Sequence, residues 1–402
     1  MKCSRRTSPQ GEVNDSKYYR LLPLTYLTFL PSPAYKNLKS FCHEDRLFIE
    51  RRMQKAAPKG KTAAGRGIRH KKDRQKGKTM DKQTKIKING HMMKIHIITN
   101  DETNPVILFV HGGPGGINRH DVMHNHLDLL DRFTLVGWDQ RGTGGSYTGT
   151  DFSKLTKDLV VEDAACLVEW LCKRFNKDKI FILGLSWGSC VGTLLCARHP
   201  EHIAAYVGYG QLVNGHMNEV LSWRWALEQA EKAGDEKAVK TLKDMGEPVN
   251  AIYKGGSEDL HTQRGILNKY GGVSPRLHGD KYMNGRTGAM KAVKEYTRAD
   301  WKGYNEGAEK SLRKLWPEIG LLDFPKTNTK FEVPFYIFHG HQDMNTPWTL
   351  IPDWYEKIEA PDKDLIFFDN SGHNPMTDEP EAFKKAMREK FEAVMKKDKS
   401  RI

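Results

Sequence analysis

Residues 180–198 run Ile180-Phe-Ile-Leu-Gly184-Leu-Ser186-Trp-Gly188-Ser-Cys-Val-Gly-Thr-Leu-Leu-Cys-Ala-Arg198. A short apolar run leads directly into Gly-x-Ser-x-Gly, and a helix-like run follows it. A serine nucleophile in this motif needs small residues on both sides, because the serine sits on a tight, strained turn with its hydroxyl exposed. The stretch therefore predicts a strand, a turn that presents Ser186 as a nucleophile, and a helix.

The sequence on both sides of this stretch alternates between strand-like and helix-like runs. Asn89-Gly90 separates two alternating runs, Thr84–Ile88 and Met92–Ile98, which is a strong hairpin signal. A hairpin followed by alternating strands and helices favours an α/β protein, with a mostly parallel sheet covered by helices on both faces. The strand-like runs are Val106–Val110, Phe133–Trp138, Ile180–Leu183, Ala204–Tyr209, Phe335–Phe338 and Leu365–Phe368, and the helix-like runs include Leu159–Phe175, Val191–Arg198 and Glu381–Met395.

One long interval breaks this alternation. Residues 212–329 separate two predicted strands by far more than an ordinary connection, so they must fold as an insertion. Their apolar and aromatic runs predict a mainly helical cap, inserted before a later sheet strand. The core then consists of two parts, residues 80–211 and 330–402.

Residues 1–79 differ in composition from the rest of the chain. They hold 20 of the 64 Lys and Arg residues against six Asp and Glu, which accounts for the whole net charge of +14. We expect a largely disordered, basic extension. It could be a targeting segment, an RNA-binding arm, a solvated tail or a stretch that is not normally translated. No nucleic-acid partner is expected for the formally neutral core.

The hydropathy, the cysteines and the histidines allow predictions of the protein's location in the cell and of metal binding. No run reaches the roughly 18 apolar residues that a membrane span needs, so no membrane association is expected. The six cysteines show no C-x-x-C pair or zinc spacing, which favours a reducing, cytoplasmic location. His120, His124 and His126 suggest a metal site at first, but only two of them share a helix face, and we predict no metal.

A serine nucleophile needs a base and an orienting acid. Gly-x-Ser-x-Gly between a strand and a helix is typical of the α/β-hydrolase fold, in which the acid and then the histidine follow later strands. Asp343 and His373 meet that order, since each comes directly after a strand-like run. The competing histidines and acids are His339, His341, Asp353 and Asp369.

A glycine-rich turn, His111-Gly-Gly-Pro-Gly-Gly116, follows the strand-like run 106–110. Acyl transfer needs N–H donors for its oxyanion, one from such a loop and one from the residue after the nucleophile. We predict Gly113 as the loop donor, with Gly112 as the second choice, and Trp187 as the other donor.

These motifs together resemble the proline iminopeptidases and their relatives among the α/β hydrolases. The resemblance rests on His111–Gly116, on Trp138-Asp-Gln-Arg-Gly-Thr-Gly-Gly-Ser146 and on Gly184-Leu-Ser-Trp-Gly-Ser189, and it covers roughly residues 85–395. It implies a serine aminopeptidase that releases N-terminal residues, often proline, from short peptides without a metal or organic cofactor. In the family, acidic residues near the cap bind the free amine of the substrate, and the possible counterparts here are Glu219, Glu228 and Glu231.

Two other functions remain open from the sequence. The same triad serves esters and amides, because the cap determines the substrate, so an esterase or amidase of small carbonyl compounds is the enzymatic alternative. A receptor that uses the fold to bind a small ligand is the other. The sequence does not indicate the oligomeric state.

Overall fold

A mixed sheet of eight strands runs through the part of the chain that the computed structural model describes, residues 79–123, 126–279, 296–398 and 400–402. The order is β1-β2-β4-β3-β5-β6-β7-β8; the pairs β1–β2 and β2–β4 are antiparallel, and every other neighbouring pair is parallel. The predicted mostly parallel sheet is therefore confirmed. The strands are β1 Met80–Ile88, β2 His91–Thr99, β3 Val106–Val110, β4 Thr134–Trp138, β5 Ile180–Leu185, β6 Ile203–Tyr209, β7 Phe335–Gly340 and β8 Lys363–Phe368.

Helices cover the two faces of this sheet. Successive residues of a strand point to opposite faces, so Leu108 and Ile182 join one buried cluster, whereas Phe109 and Phe181 join the other. The helices are α1 His120–Met123, α2 Lys157–Phe175, α3 Trp187–Arg198, α4 Gly215–Lys232, α5 Glu236–Met245, α6 Ser257–Lys269, α7 Arg298–Gly320, α8 Phe324–Thr327, α9 Ile351–Lys357, α10 Pro375–Asp378 and α11 Pro380–Lys397. Clusters containing α2 and α3 lie on one face, and α11 packs on the other.

The hairpin forms where the sequence predicts it. Asn89 and Gly90 both have positive φ angles, 43° and 77°, as a two-residue hairpin turn with a matching twist requires. Ile88 pairs with His91 next to the turn, and the ladder continues to Met80 paired with Thr99. The strands are thus longer than the alternating runs indicate.

The long interval between β6 and β7 contains helices α4 to α8, in agreement with the predicted helical insertion. These helices have an apolar cluster of their own, which includes Ala226, Leu242, Leu260 and Leu267. The exact domain boundaries stay a prediction. The predicted disordered extension lies outside the described residues except for Thr79, and so does His124.

Helix α7 of the insertion packs closely on the loop that follows β4. A Cβ atom at Gly303 or Gly307 would lie 2.0 Å from the carbonyl oxygen of Gly144 or Gly142, respectively. Ser311, one turn further on, donates a hydrogen bond to the Gly142 carbonyl oxygen at 3.3 Å. Small residues at every fourth position therefore let the helix backbone touch the loop.

Buried charges link the same helix to the core. Lys94 Nζ contacts Asp300 Oδ2 at 2.5 Å, and Arg119 lies 3.7 Å from the same oxygen. Arg119 also donates to both carboxylate oxygens of Asp139 at 2.9 Å. Because buried charges are tolerated when they are paired, this network fixes α7 against the start of the Asp139–Ser146 loop.

Candidate active site

Ser186 occupies the sharp turn between β5 and α3. Its φ and ψ angles are 56° and −121°, a conformation that is unusual for a residue with a side chain. A Cβ atom at Gly188 would lie 1.9 Å from the Val110 carbonyl oxygen, and one at Gly184 would lie 2.7 Å from the Gly188 carbonyl oxygen. Both glycines of Gly-x-Ser-x-Gly are thus sterically required, and the helix begins at Trp187 rather than at Val191.

Asp343 and His373 lie side by side at the ends of β7 and β8. The Nδ1 atom of His373 is 2.9 Å from Oδ2 of Asp343, whose side chain is fully buried. The carboxylate also accepts hydrogen bonds from the Thr346 hydroxyl at 2.6 Å and from the backbone N–H groups of Asn345 and Thr346 at 2.8 and 2.9 Å. Asp343 therefore accepts a hydrogen bond from the Nδ1–H of His373, which leaves the lone pair of the ring on Nε2.

The charge state of Asp343 follows from its surroundings. Burial opposes ionisation of Asp343, but the attraction of His373 and the bonds it accepts hold its pKa below the usual value. Burial lowers the pKa of the neighbouring His339, whose Nε2 donates to the Thr346 carbonyl oxygen at 2.9 Å and whose Nδ1 accepts from Gln211. His339 thus supports the loop that contains Asp343 and Thr346, while Asp343 remains an anion beside His373.

Ser186 and His373 both lie against the end of β6. The Ser186 N–H donates to the Tyr209 carbonyl oxygen at 3.0 Å, and a Cβ atom at Gly210 would lie 2.9 Å from Cε1 of His373. The structure therefore brings all three predicted triad residues to one edge of the sheet.

Asn345 occupies the free nitrogen of the histidine ring. Its Nδ2 atom lies 3.1 Å from His373 Nε2, and among the described residues no hydrogen bond joins that nitrogen to the Ser186 hydroxyl. Catalytic hydrogen bonds are often incomplete before substrate binds. Sequence reasoning missed Asn345 and Thr346, although two short polar side chains separated from Asp343 only by Met344 were a signal.

The glycine-rich turn lies beside the serine. A Cβ atom at Gly112 would be 3.1 Å from the Cβ of Ser186. Gly113 has a φ of 142°, and its N–H reaches no acceptor in the described part of the chain. Trp187 is the first residue of α3, so its N–H also has no partner within the helix. Gly113, Gly112 and Trp187 all remain candidates for the oxyanion donors.

Gln140, which belongs to the motif Trp138–Ser146, links the glycine-rich turn His111–Gly116 to α3. Its side chain donates to the His111 carbonyl oxygen at 2.9 Å and accepts from the Trp187 indole N–H at 2.8 Å. Its backbone N–H donates to His111 Nε2 at 3.2 Å, so the Nδ1 proton of that ring goes to the Gly112 carbonyl oxygen. Burial lowers the pKa of His111, which keeps the ring neutral in this role.

The three acidic candidates on α4 have different surroundings. Glu219 is 1% exposed and contacts Arg264 at 2.5 Å and the Tyr253 hydroxyl at 3.2 Å. Glu228 and Glu231 are at least half exposed and pair with Lys232 and Lys243. Nine residues of helix place Glu228 about 13 Å further along the axis than Glu219. Of the three, only Glu219 lies next to a residue, Asn218, that contacts the triad loop, the segment Asp343–Thr346 after β7.

Of the three histidines considered for a metal, the structure describes His120 and His126. His120 packs edge-on against Tyr296, and burial lowers the pKa of His126 to about 4. In the ranges described, no group of three or more His, Cys, Asp or Glu side chains could hold a metal ion. None of the helices there is long and apolar enough to cross a bilayer.

Comparison with known proteins agrees with this architecture. The chain is 27% identical to the probable aminopeptidase YbaC of Bacillus subtilis over 284 residues, which cover 70% of this chain and 87% of that relative. It is also 27% identical to a proline iminopeptidase of Lactobacillus acidophilus over 254 residues, 61% and 77% of the two chains. The crystal structure of proline iminopeptidase from Mycobacterium smegmatis matches its fold with a TM-score of 0.55 at 16% identity, over 79% of this chain and 100% of the other. The profile of the alpha/beta hydrolase fold family matches residues 105–380, more than half of the chain. The protein therefore belongs to the α/β hydrolase fold family and is a hydrolase of that family.

Proposed function

We propose that the protein is a serine hydrolase that works through an acyl-enzyme, with Ser186 as nucleophile, His373 as base and Asp343 as the acid that orients the base. The observation that carries the proposal is the 2.9 Å contact between His373 Nδ1 and Asp343, at the same sheet edge as a serine in a strained turn. A serine hydroxyl is a weak nucleophile and needs such a base.

The proposed reaction follows from this geometry. His373 leaves its contact with Asn345 and takes the Ser186 proton through Nε2 as the serine oxygen attacks the substrate carbonyl carbon. The backbone N–H groups of Trp187 and of Gly113, or Gly112, donate to the oxyanion. His373 then gives its proton to the leaving amine as the carbonyl carbon–nitrogen bond breaks. In the second half, His373 takes a proton from a water molecule whose oxygen attacks the acyl carbon, and it returns that proton to the Ser186 oxygen as the acyl–oxygen bond breaks.

We further propose that the substrate is a short peptide from which the N-terminal residue is released. Relatives named as aminopeptidase and proline iminopeptidase support this, as does the buried carboxylate of Glu219, whose neighbour Asn218 donates to the Asn345 carbonyl oxygen. The amine of an N-terminal residue lies only about 2.5 Å from the scissile carbon. Polar groups that recognise it must therefore lie close to Ser186 and His373.

An esterase or amidase acting on uncharged carbonyl compounds is the second candidate. Its support is the pairing of Glu219 with Arg264, because that pair has no net charge and does not by itself require an ammonium group. A peptidase and an esterase would share the triad, so only the substrate separates them.

Release of a chromogenic amine from proline, alanine and leucine amides, measured beside a short-chain ester, tests this function. Wild type is compared with Ser186→Ala and with Ser153→Ala, a control that removes an exposed hydroxyl bonded only to Asp151 in the described structure. Cleavage of an aminoacyl amide that Ser186→Ala alone abolishes supports the aminopeptidase. Cleavage of the ester alone supports the esterase, and turnover that survives in Ser186→Ala refutes the nucleophile. If nothing is cleaved, a ligand-binding role becomes the leading hypothesis.

A further inference from the structure

A short segment of the insertion, residues 272–274, contacts both loops that carry the proposed acid and base. It follows α6, and we call it the strap. The Gly272 carbonyl oxygen accepts a hydrogen bond at 2.8 Å from the N–H of Met344, the residue after the acid. The Val273 carbonyl oxygen accepts one from the N–H of His373 at 2.7 Å. Two consecutive carbonyl groups of the insertion therefore hold the main chain beside the acid and at the base.

The strap belongs to the apolar core of the insertion. Val273 is 8% exposed and packs in the same cluster as residues of α4, α5 and α6. A Cβ atom at Gly272 would lie 2.6 Å from Leu267 of α6 and from Trp225 of α4. The Gly272 N–H donates to the Leu267 carbonyl oxygen at 3.0 Å. The helices of the insertion therefore set the position of the strap.

The side chain of the last strap residue extends this contact to α10. The Ser274 hydroxyl donates to Oδ1 of Asp378 at 3.0 Å, and the N–H of Gly372 donates to Oδ2 of the same carboxylate at 3.0 Å. Ser274 and Asp378 are only 5% and 4% exposed. A Cβ atom at Gly372 would lie 2.3 Å from the Val273 carbonyl oxygen, so the two backbones are in close contact. The loop that carries the base is thus held between the strap and α10.

These contacts act on the group that takes the serine proton in the proposed reaction. The ring of His373 must keep Nδ1 against Asp343 while Nε2 serves Ser186, and catalytic groups need to stay within about 0.5 Å of their productive positions. Two successive N–H groups, at the base and one residue before it, bind Val273 and Asp378 and so fix the backbone that carries the ring. A shift of this backbone would misdirect Nε2, so losing one of these bonds should slow proton transfer.

We propose that Ser274 and Asp378 are positioning residues, which together with the strap hold His373 in the orientation that activates Ser186. The inference rests on the proposed serine hydrolase function and assigns the insertion a part in its chemical step. The carboxylate of Asp378 is the link, because it accepts one hydrogen bond from the insertion and one from the loop of the base. Hydrogen bonds to a carboxylate are stronger than those between neutral groups, so this link holds the loop firmly.

The rate of labelling by a fluorophosphonate, which reacts with an activated serine, tests this without any choice of substrate. The second-order rate constant and the melting temperature are measured for the full-length wild type, for Ser274→Ala and for the control Ser222→Ala. Ser222 of α4 is also a buried serine of the insertion, 0% exposed, and its hydroxyl oxygen accepts from the Gln263 amide at 3.0 Å. The control therefore removes the same atom from a contact that lies within the insertion.

We expect Ser274→Ala to be labelled roughly twofold to tenfold more slowly than wild type, which is the effect of one lost hydrogen bond. Ser222→Ala should be labelled at the wild-type rate even if its melting temperature falls by the same amount. The inference is overturned if Ser274→Ala reacts as fast as wild type or if both variants are slowed equally.

A second variant covers the case in which Ser274→Ala does not fold. Asp378→Asn keeps the shape of the side chain and removes the buried charge that accepts from the Gly372 N–H. It should also slow labelling, although it is not expected to unfold the protein. A folded Asp378→Asn variant that is labelled at the wild-type rate overturns the inference.

A spectroscopic measurement separates this inference from the proposed function. In protein labelled with ¹⁵N-histidine, the NMR signal of the His373 Nδ1 proton reports the contact with Asp343 without any reaction, and its absence in His373→Ala identifies it. The signal should shift or broaden in Ser274→Ala and stay unchanged in Ser222→Ala. If the fluorophosphonate does not label wild type at Ser186, the proposed function fails and this signal alone decides the inference. An unchanged signal in Ser274→Ala overturns the inference in either case.

Discussion

Replacing Thr346 with valine removes one hydroxyl group from beneath the proposed base and keeps the shape of the side chain. That hydroxyl donates to Asp343 Oδ2 at 2.6 Å and lies 3.1 Å from Nδ1 of His373. A hydrogen bond to a charged group contributes about 1.5–3 kcal/mol, so Asp343 loses that much stabilisation while it keeps its two backbone donors. If the whole loss is felt when His373 becomes charged, kcat should fall roughly tenfold to a hundredfold.

The assay compares kcat for the best chromogenic substrate in wild type, Thr346→Val and Thr346→Ser. Serine keeps the hydroxyl and loses only a methyl group, so Thr346→Ser should remain within about threefold of wild type. The melting temperature of each variant shows whether the fold is intact. A Thr346→Val enzyme with the kcat of wild type would refute the view that this hydroxyl supports the acid, and an equal loss in both variants would assign the effect to packing.

Three further predictions follow from the same structure. Asp343→Asn should lower kcat by about 10⁴ while the protein stays folded, because the neutral amide of asparagine does not stabilise the charged His373 ring as the carboxylate does. A loss of kcat below tenfold in steady-state assays would contradict the assignment of Asp343 as the acid. Gly307→Ala should destabilise the protein by about 1–3 kcal/mol, since its Cβ would lie 2.0 Å from the Gly142 carbonyl oxygen. Gly265→Ala has open space around it in α6 and should stabilise the protein by about 0.5–1 kcal/mol. Denaturant unfolding of both variants measures these two free-energy changes. Burial raises the pKa of Asp378 above its usual 3.8, so the charged carboxylate destabilises the native state increasingly as the pH rises from 3.8 through the folded pKa. The melting temperature of Asp378→Asn minus that of wild type should therefore be higher at pH 8 than at pH 4. An equal difference at both pH values would refute this.

The sheet edge that carries the site could be predicted from local sequence alone. Ser186, Asp343 and His373 each follow a short apolar run, and the carboxyl ends of parallel strands meet at one edge of a sheet. The two glycines around Ser186 likewise predict a close approach, which the contacts of Gly188 with Val110 confirm. Each of these inferences needs only residues that are neighbours in the chain.

The contacts of the insertion could not be predicted in this way. Arg264 meets Glu219 across 45 positions, and Asn218 meets Asn345 across 127, so neither pair has a signature in the local pattern. Helical periodicity predicts one part of the arrangement: nine residues at about 100° each place Glu228 on the face of α4 opposite Glu219. Which face points inward depends on how α4 packs against α6 and α7, and that is set by tertiary contacts.

In the proposed mechanism, Ser186 is a nucleophile activated by the Asp343–His373 pair. Mass spectrometry of the full-length protein after treatment with a fluorophosphonate reports this activation, because such a reagent forms a stable adduct only with an activated serine. We predict one adduct, on the peptide that contains Ser186, which disappears in Ser186→Ala and forms much more slowly in His373→Ala. No adduct, or an adduct on another residue that survives in Ser186→Ala, would show that Ser186 is not the activated nucleophile.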